Sequence, residues 1–480
     1  MAGFVGRQRE LDMLDSRLRR VTESASGIAV AIRGRRQVGK SRLVQEFCDQ
    51  SAVPYLYFTA TKGAAPAESL AGLLRELRES SLITDPELLP EQIGSWADGF
   101  RAIAAALPDG PSVVVIDEVP WLTEQDQSFD GVLQTAWDRM LSRHPVLLLL
   151  LGSDLHMMER LTAYDRPFYG RADNFVLGPL NPVEIADATG LGAADALDAH
   201  LITGGLPGIL RSWPRGRSPL EFLEGECADP AAPLFSVPES ALLAEFPAPD
   251  QTRRVLESVG GGDRTHANIA AAAGGSGGPI ASGSLSPILR RLTVDKRVLA
   301  IDEPLSIRPG KPALYRVSDS NLRLYLAVLR AAQDLSRRGR SAAAFRLIER
   351  RWTTWRGRAV EPLIRESLEL AALSGRLPWQ SVETVGGWWN RRFDPEVDLV
   401  GADRGPVANR IEFVGSVKWL GTPFDRRDLV TLRKSAAEVP GYEPGESGLV
   451  VVSRSGIAAD VRDAGADLIW GPDEVLSVWR

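Results

Sequence analysis

The chain has 480 residues, of which 44% are hydrophobic and 25% charged, an ordinary globular composition with enough length for about two to four separately cored domains. Its formal net charge of −6 excludes a chain-wide basic field, so any nucleic-acid surface must be local. Cys48 and Cys227, the only two cysteines, form neither a metal-ligand spacing nor a disulfide framework. The start MAGFVGRQREL lacks an apolar signal core and the run PVLLLLLGS is too short to span a bilayer, so the expectation is a cytoplasmic protein with no membrane association.

The first strong pattern is GIAVAI, a short apolar run that reads as a buried strand, followed by GRRQVGKS. From Gly34 to Ser41 this fits G-x-x-x-x-G-K-[ST]. Gly34 and Gly39 allow the close backbone approach by which successive N–H groups meet phosphate oxygens, with Gln37 and Val38 between them. Lys40 brings a positive charge to the β/γ-phosphates, Ser41 offers a hydroxyl to Mg²⁺, and Arg42 stands in the first helical turn. Leu43, Val44 and Phe47 have helical spacing, so the phosphates of a bound ATP would lie at a helix N-terminus.

PSVVVIDEVPWL supplies the expected second half of this site. Val113 to Ile116 suit a central parallel strand ending at Asp117, the expected Mg²⁺ partner, and Glu118, the expected base for water. A third strand in HPVLLLLLGS leads to Ser153, which either bonds a γ-phosphate or lytic water, or caps the next helix. Arg171, near an aromatic pair in RPFYGR, is a candidate for stabilising transition-state charge from the same chain or across a subunit boundary, or is a plain surface arginine.

FVGRQREL at Phe4 to Leu11, the phosphate loop, VVVIDEVPWL, LGSDLHMM, RPFYGR and TGGLPGIL at Thr203 to Leu210, in this order, resemble the archaeal-type P-loop ATPases of the AAA+/STAND group over most of residues 1–235. The resemblance implies an ATPase core at 1–175, with Gly6 and Arg7 near the adenine, and a helical lid at 176–235 that moves with nucleotide state.

Residues 228–250 are rich in Pro and Ala and read as a connector. Three short helical patterns and an alternating hairpin with a Gly-Lys-Pro turn then suggest a winged helix over 245–320, with a loose glycine-rich loop around 270–283. Arg290, Arg291, Lys296 and Arg297 on its last helix, and Arg308 and Lys311 on the wing, would meet DNA phosphates, or the module merely packs between its neighbours. Residues 336–345 read as a basic linker.

The order α-β-β-α-β over 345–480 resembles the PD-(D/E)xK nuclease fold. Matched to that pattern, Asp398 opens one strand, Lys418 takes the lysine position, and Glu361 suits the helix acid. Ser416 stands where a second carboxylate is expected, and Glu412 is about 13 Å away along the strand, too far to replace it. Cleavage, or a fold kept for DNA binding or packing, both remain open; Trp388, Trp389 and Trp419 are either base-stacking platforms or core. The expected architecture is therefore α/β: a P-loop NTPase parallel sheet with helical lid, then a winged helix, then a restriction-endonuclease-like domain. The expected function is ATP hydrolysis with Mg²⁺ coupled to a module acting on DNA, with a protein partner and oligomerisation also open. The alternatives are an ATP-dependent switch or scaffold that binds without cutting and, least supported, a small-molecule kinase.

Overall fold

Ile28–Arg33 (β1), Tyr55–Thr59 (β2), Ser112–Asp117 (β3), Val146–Gly152 (β4) and Ala172–Val176 (β5) form one parallel sheet in the order β2-β3-β4-β1-β5. Val113 to Ile116 and Leu147 to Leu151 are at most 1% exposed. Such strands need helices on both faces, which is why they are continuous aliphatic runs and do not alternate. In the computed structural model the described residues are 4–83, 89–246, 250–462 and 465–480. The chain divides into two compact units, Met1–Pro179 and Leu180–Arg480. No helix among the described residues is long and apolar enough to cross a membrane.

Strand order decides what meets at the sheet's carboxyl edge. β4 lies between β1 and β3, so the turn after β1, the acids after β3 and the first residue after β4 emerge side by side. That edge of an open α/β sheet is where ligands bind.

The second unit begins with short helices. Asn181 starts Pro182–Thr189, accepting from the Val183 and Glu184 N–H groups while Glu184 returns to the Asn181 N–H, a reciprocal cap. The segment expected as a connector at 228–250 instead contains the helix Pro233–Glu245. Proline in a first helical turn loses no hydrogen bond, and Leu234, Phe235 and Leu242 bury one face. Residues 247–249 of that stretch lie outside the described residues.

Next come the helices Gln251–Gly261, His266–Ala273 and Ser282–Arg290, then Leu299–Asp302 (β6) paired antiparallel with Leu314–Val317 (β7). The glycine-rich stretch is a tight turn and no loose loop: Gly275–Gly277 forms one 3₁₀ turn, and the Ile280 N–H donates to the Ala270 carbonyl at 2.9 Å. Between β6 and β7 the chain does not turn directly. Leu305 is buried and its N–H donates to the Gly387 carbonyl at 2.9 Å, with Ile307 reaching the Pro440 carbonyl at 3.3 Å. The expected linker at 336–345 is also structured, as the turn joining the helices Arg330–Arg337 and Ser341–Ala359. There the Ser336 hydroxyl donates to the Cys227 carbonyl at 2.7 Å.

Thr384–Trp389 (β8), Glu396–Ala402 (β9), Ile411–Lys418 (β10), Gly448–Ser453 (β11) and Leu468–Trp470 (β12) form a mixed sheet in reverse chain order. β8, β9 and β10 are antiparallel, and β10, β11 and β12 parallel. Successive side chains part to opposite faces. Leu399, Phe413, Val450 and Val452 join the core under the helix Glu361–Leu373. Val400, Val414, Leu449 and Val451 join the core under Arg426–Ala436.

Candidate functional site

The turn after β1 has the conformation its sequence requires. Gln37 and Gly39 are left-handed, at φ 66° and 97°, and a Cβ on Gly34 would come within 2.5 Å of the Leu177 carbonyl oxygen. The helix Lys40–Ser51 starts directly behind, so its unpaired N–H groups face the loop. Lys40 is buried, and its Nζ donates to the Gly34 carbonyl at 2.7 Å and the Arg35 carbonyl at 3.2 Å. Burial holds its pKa below the ordinary lysine value, opposed by the nearby charges of Glu118 and Asp117. An ammonium in that position is short of counter-charge and suits a phosphate.

Asp117, at the end of β3, is also buried. Its carboxylate accepts from Ser41 Oγ at 2.6 Å, Tyr57 Oη at 3.0 Å and the Glu118 N–H at 2.8 Å. Ser41 and Asp117 thus present hard oxygens side by side, the donor set Mg²⁺ takes when substrate phosphates supply further ligands. The residues fit the ion; when bound, it would neutralise developing phosphate charge.

Glu118 has φ 56°, a left-handed conformation that costs a non-glycine residue energy and recurs at functional sites. It turns the side chain toward Ser153, whose Oγ donates to both carboxylate oxygens at 3.0 Å. The cap of the helix Leu155–Leu161 is Asp154, which accepts from the Met157 N–H at 3.0 Å. Ser153 is therefore a partner of Glu118, and the capping alternative falls to its neighbour.

Arg7 braces the loop from behind. Its Nη2 donates to the Val38 carbonyl at 3.0 Å and to the Gly178 carbonyl at 2.7 Å, and left-handed Gly6 and Arg7 make the turn that aims it. The Arg42 side chain points along its own helix to Glu46 at 2.7 Å, leaving only its backbone near the loop. Arg171 is held by Asp138 through two hydrogen bonds of 2.8 Å. It precedes β5, whose Ala172 is in register with Ala29 near the start of β1, so it stands at the sheet edge opposite Gly34. The intervening five residues of strand span roughly 16 Å, so Arg171 does not reach a phosphate held in its own chain.

Tyr57 is the site residue the sequence did not single out. It lies on β2, next to β3, and its phenol is pushed well above its ordinary value by burial and by Asp117. The alternation of YLYF was its only sequence signal.

In the second unit Asp398 accepts from Ser416 Oγ at 2.9 Å and the Val417 N–H at 2.8 Å. Arg365 donates to the Asp398 carbonyl at 2.9 Å and pairs with Glu361 at 3.4 Å. Burial, with the neighbouring Asp398 and Glu396 charges, pushes Glu361 up to about 7. Lys418 is paired instead with Asp428 at 2.6 Å. Glu412 accepts from Ser381 at 2.8 Å. No group of three His, Cys, Asp or Glu residues placed to hold a metal occurs among the described residues, and Glu361 and Asp398 are both engaged by Arg365, Asp398 through its backbone carbonyl. Trp388, Trp389 and Trp419 are all buried, which corrects the stacking-platform alternative. Trp389 Nε1 donates to Pro312 and Trp419 Nε1 to Asp198, each at 2.8 Å.

Residues 3–149 match the AAA ATPase domain family. No curated protein sequence matches the chain. Among solved structures, a Walker-type ATPase of Pyrococcus abyssi is 19% identical, with 67% of this chain and 96% of that one covered at a TM-score of 0.48. The ORC2 protein of Aeropyrum pernix, solved as ADPNP–ADP complexes, is 13% identical, with 70% and 95% covered at 0.45. A STAND protein with a tetratricopeptide repeat sensor from Pyrococcus horikoshii is 14% identical, with 77% and 51% covered at 0.30. The matched stretch 3–149 is the one that carries the phosphate loop and the carboxylate pair on one sheet edge, and there the chain is similar to the AAA ATPase domain family.

Proposed function

We propose that the first unit hydrolyses ATP and that nucleotide state governs how the second unit engages DNA, without the second unit cutting it. The observation that carries the hydrolytic reading is the chain of contacts Ser41–Asp117 and Ser153–Glu118 across three adjacent strands. Lys40 and the loop N–H groups would hold the phosphates. Glu118, oriented by Ser153, would take the proton of the attacking water. Asp117, fixed by Ser41 and Tyr57, would be the magnesium partner. Arg171 would take part only across a subunit boundary.

The non-cutting reading of the second unit rests on Ser416 at a carboxylate position and on Lys418 being engaged by Asp428. Its three helices and β6–β7 pair have the element order of a winged helix; Arg290 ends the last helix, Arg291 opens the π-helical turn that continues it and Arg297 follows that turn, all three exposed. That helix end would meet phosphates. The loop bearing Arg308 and Lys311 is anchored at Leu305 and Ile307, so it contributes less than a free wing.

Glu118→Gln tests the catalytic assignment. ATP affinity should stay within about twofold, while turnover falls by roughly 10²–10⁴, the usual contribution of a positioned general base. Wild-type turnover in this variant would remove Glu118 from that role. Stimulation of wild-type turnover by duplex DNA, absent when Arg290 and Arg291 are both changed to Glu, would tie the two units together; turnover indifferent to DNA in both proteins would break that link.

A further inference from the structure

A cavity of about 380 Å³ in the second unit is lined by seven arginines and only two carboxylates, Asp302 and Glu361. The arginines come from five places. Arg264 follows the helix Gln251–Gly261, Arg316 lies on β7, and Arg323 lies in the short helix Ser320–Leu324. Arg350, Arg351 and Arg358 share one face of Ser341–Ala359, while Arg365 lies on Glu361–Leu373. Arg351, Trp355 and Arg358 are spaced at i, i+4 and i+7, which brings them to one side of a helix.

Most of this charge has no structural counterpart. Arg316 pairs with Asp302 at 3.0 Å, Arg264 with Glu396 at 3.2 Å and Arg365 with Glu361 at 3.4 Å. Arg323, Arg350 and Arg351 donate to backbone carbonyls, those of Arg358, Arg346 and Ala327. Together with Arg358, none of them meets a carboxylate within ion-pair distance among the described residues. Burial brings Arg323 down to about 10, with the Arg316 and Arg264 charges adding to the shift and those of Glu361 and Asp302 opposing it. Crowded guanidiniums repel one another, and an anion among them would remove that cost while forming charge-assisted hydrogen bonds.

Two aromatic side chains, Tyr315 and Trp355, line the same cavity. Trp355 stacks on Trp352 with ring centroids 5.6 Å apart, which fixes the plane of its ring. Arginines alone would suit inorganic phosphate. Arginines with aromatic faces suit a nucleotide, whose base stacks while its phosphates are paired. The volume lies in the range of single-ligand pockets, roughly 300–1,000 Å³, and admits a nucleotide but not a duplex.

We propose that this cavity, distinct from the phosphate loop, binds the phosphate and base of one nucleotide unit, supplied either as a free nucleotide or as the 5′-phosphorylated end of a single strand. This goes beyond the hydrolytic reading and does not depend on it. Glu366 and Glu369, on the same helix as Arg365, are not among the cavity-lining residues, although the Glu366 charge is felt by Arg316.

The test uses the full chain carrying Lys40→Ala, which silences the phosphate loop. Binding of ADP, of 5′-phosphorylated trithymidylate and of thymidine is followed by calorimetry. One saturable site is expected for ADP or for the trinucleotide, and the probe that binds identifies the source. Thymidine should bind at least tenfold more weakly. Arg351 and Arg358 are exposed, so Arg351→Glu with Arg358→Glu should keep the melting temperature while weakening binding at least tenfold. Lack of saturable binding by both phosphorylated probes, equal binding of thymidine, or binding unmoved by the double charge reversal would each overturn the proposal. An ADP stoichiometry unchanged by Lys40→Ala alone would instead count against the phosphate-loop reading.

Discussion

His200 is partly buried as a whole, yet its Nδ1 is sealed from solvent without a partner. Burial pulls its pKa from 6.5 down to about 4, only partly opposed by a hydrogen bond to the Leu180 backbone. The unfolded chain therefore binds a proton near pH 6.5 that the folded chain refuses until about pH 4. Stability from this residue is complete above pH 6.5 and is lost as pH falls through that window, by at most ~3 kcal/mol, less for whatever part of the ring meets water. His200→Gln should flatten the fall in melting temperature between pH 7.5 and 4.5; parallel curves for the two proteins would show that His200 does not set it. Residues of this kind were not legible in advance, because burial of one ring nitrogen depends on packing. Lys40, Ser41 and Asp117 were legible because their chemistry is written in contiguous strand, turn and helix. Tyr57 was not, because its contact with Asp117, sixty positions away, exists only once β2 is placed beside β3.

The elements show a similar division. The runs read as strands at GIAVAI, VVVI and VLLLLL lie in β1, β3 and β4, since a fully buried strand advertises itself by aliphatic continuity. The helix Pro233–Glu245 was hidden by a Pro/Ala composition that serves equally for a connector and for a helix beginning with proline. The loop between β6 and β7 was read as a turn because its Gly-Lys-Pro punctuation is a local signal. What holds it is not local: Leu305 joins the apolar cluster of Trp388, Val397 and Val400, and its N–H reaches Gly387. Leu305→Ala should cost about 2–5 kcal/mol, the usual range for emptying a buried leucine site. Urea denaturation followed by tryptophan fluorescence measures this directly. A change below half a kilocalorie would mean that the loop packs without constraint and that its basic residues are free to move.

Within the second unit, distant parts of the chain meet at one buried carboxylate. Asp198, on the helix Ala193–Thr203 and 1% exposed, accepts from Arg356 Nη1 at 2.8 Å, Trp419 Nε1 at 2.8 Å and Arg454 Nη2 at 3.1 Å. Burial pushes its pKa up, while the two guanidiniums and the indole pull against that. These partners lie 158, 221 and 256 positions away, which is why the stretch expected as a lid gave no sign of being tied to the C-terminal sheet. Arg454 has a second partner in Asp195 at 2.6 Å. Arg356 has no other carboxylate among the described residues, and its Nε is already buried without an acceptor. Asp198→Ala therefore leaves Arg356 uncompensated in the interior and should destabilise the unit by about 3–5 kcal/mol, the cost of breaking a buried pair from one side. Most of that loss would come from the stranded charge and not from the attraction removed. Asp198→Leu combined with Arg356→Met should then be more stable than Asp198→Ala alone, because the charge leaves with its partner and apolar volume fills the gap. Urea midpoints and slopes of the three proteins decide the matter. If the double variant is the least stable, the carboxylate is holding Trp419 and Arg454 in place more than it is neutralising Arg356, and the tie between the Ala193–Thr203 helix and the sheet runs through them.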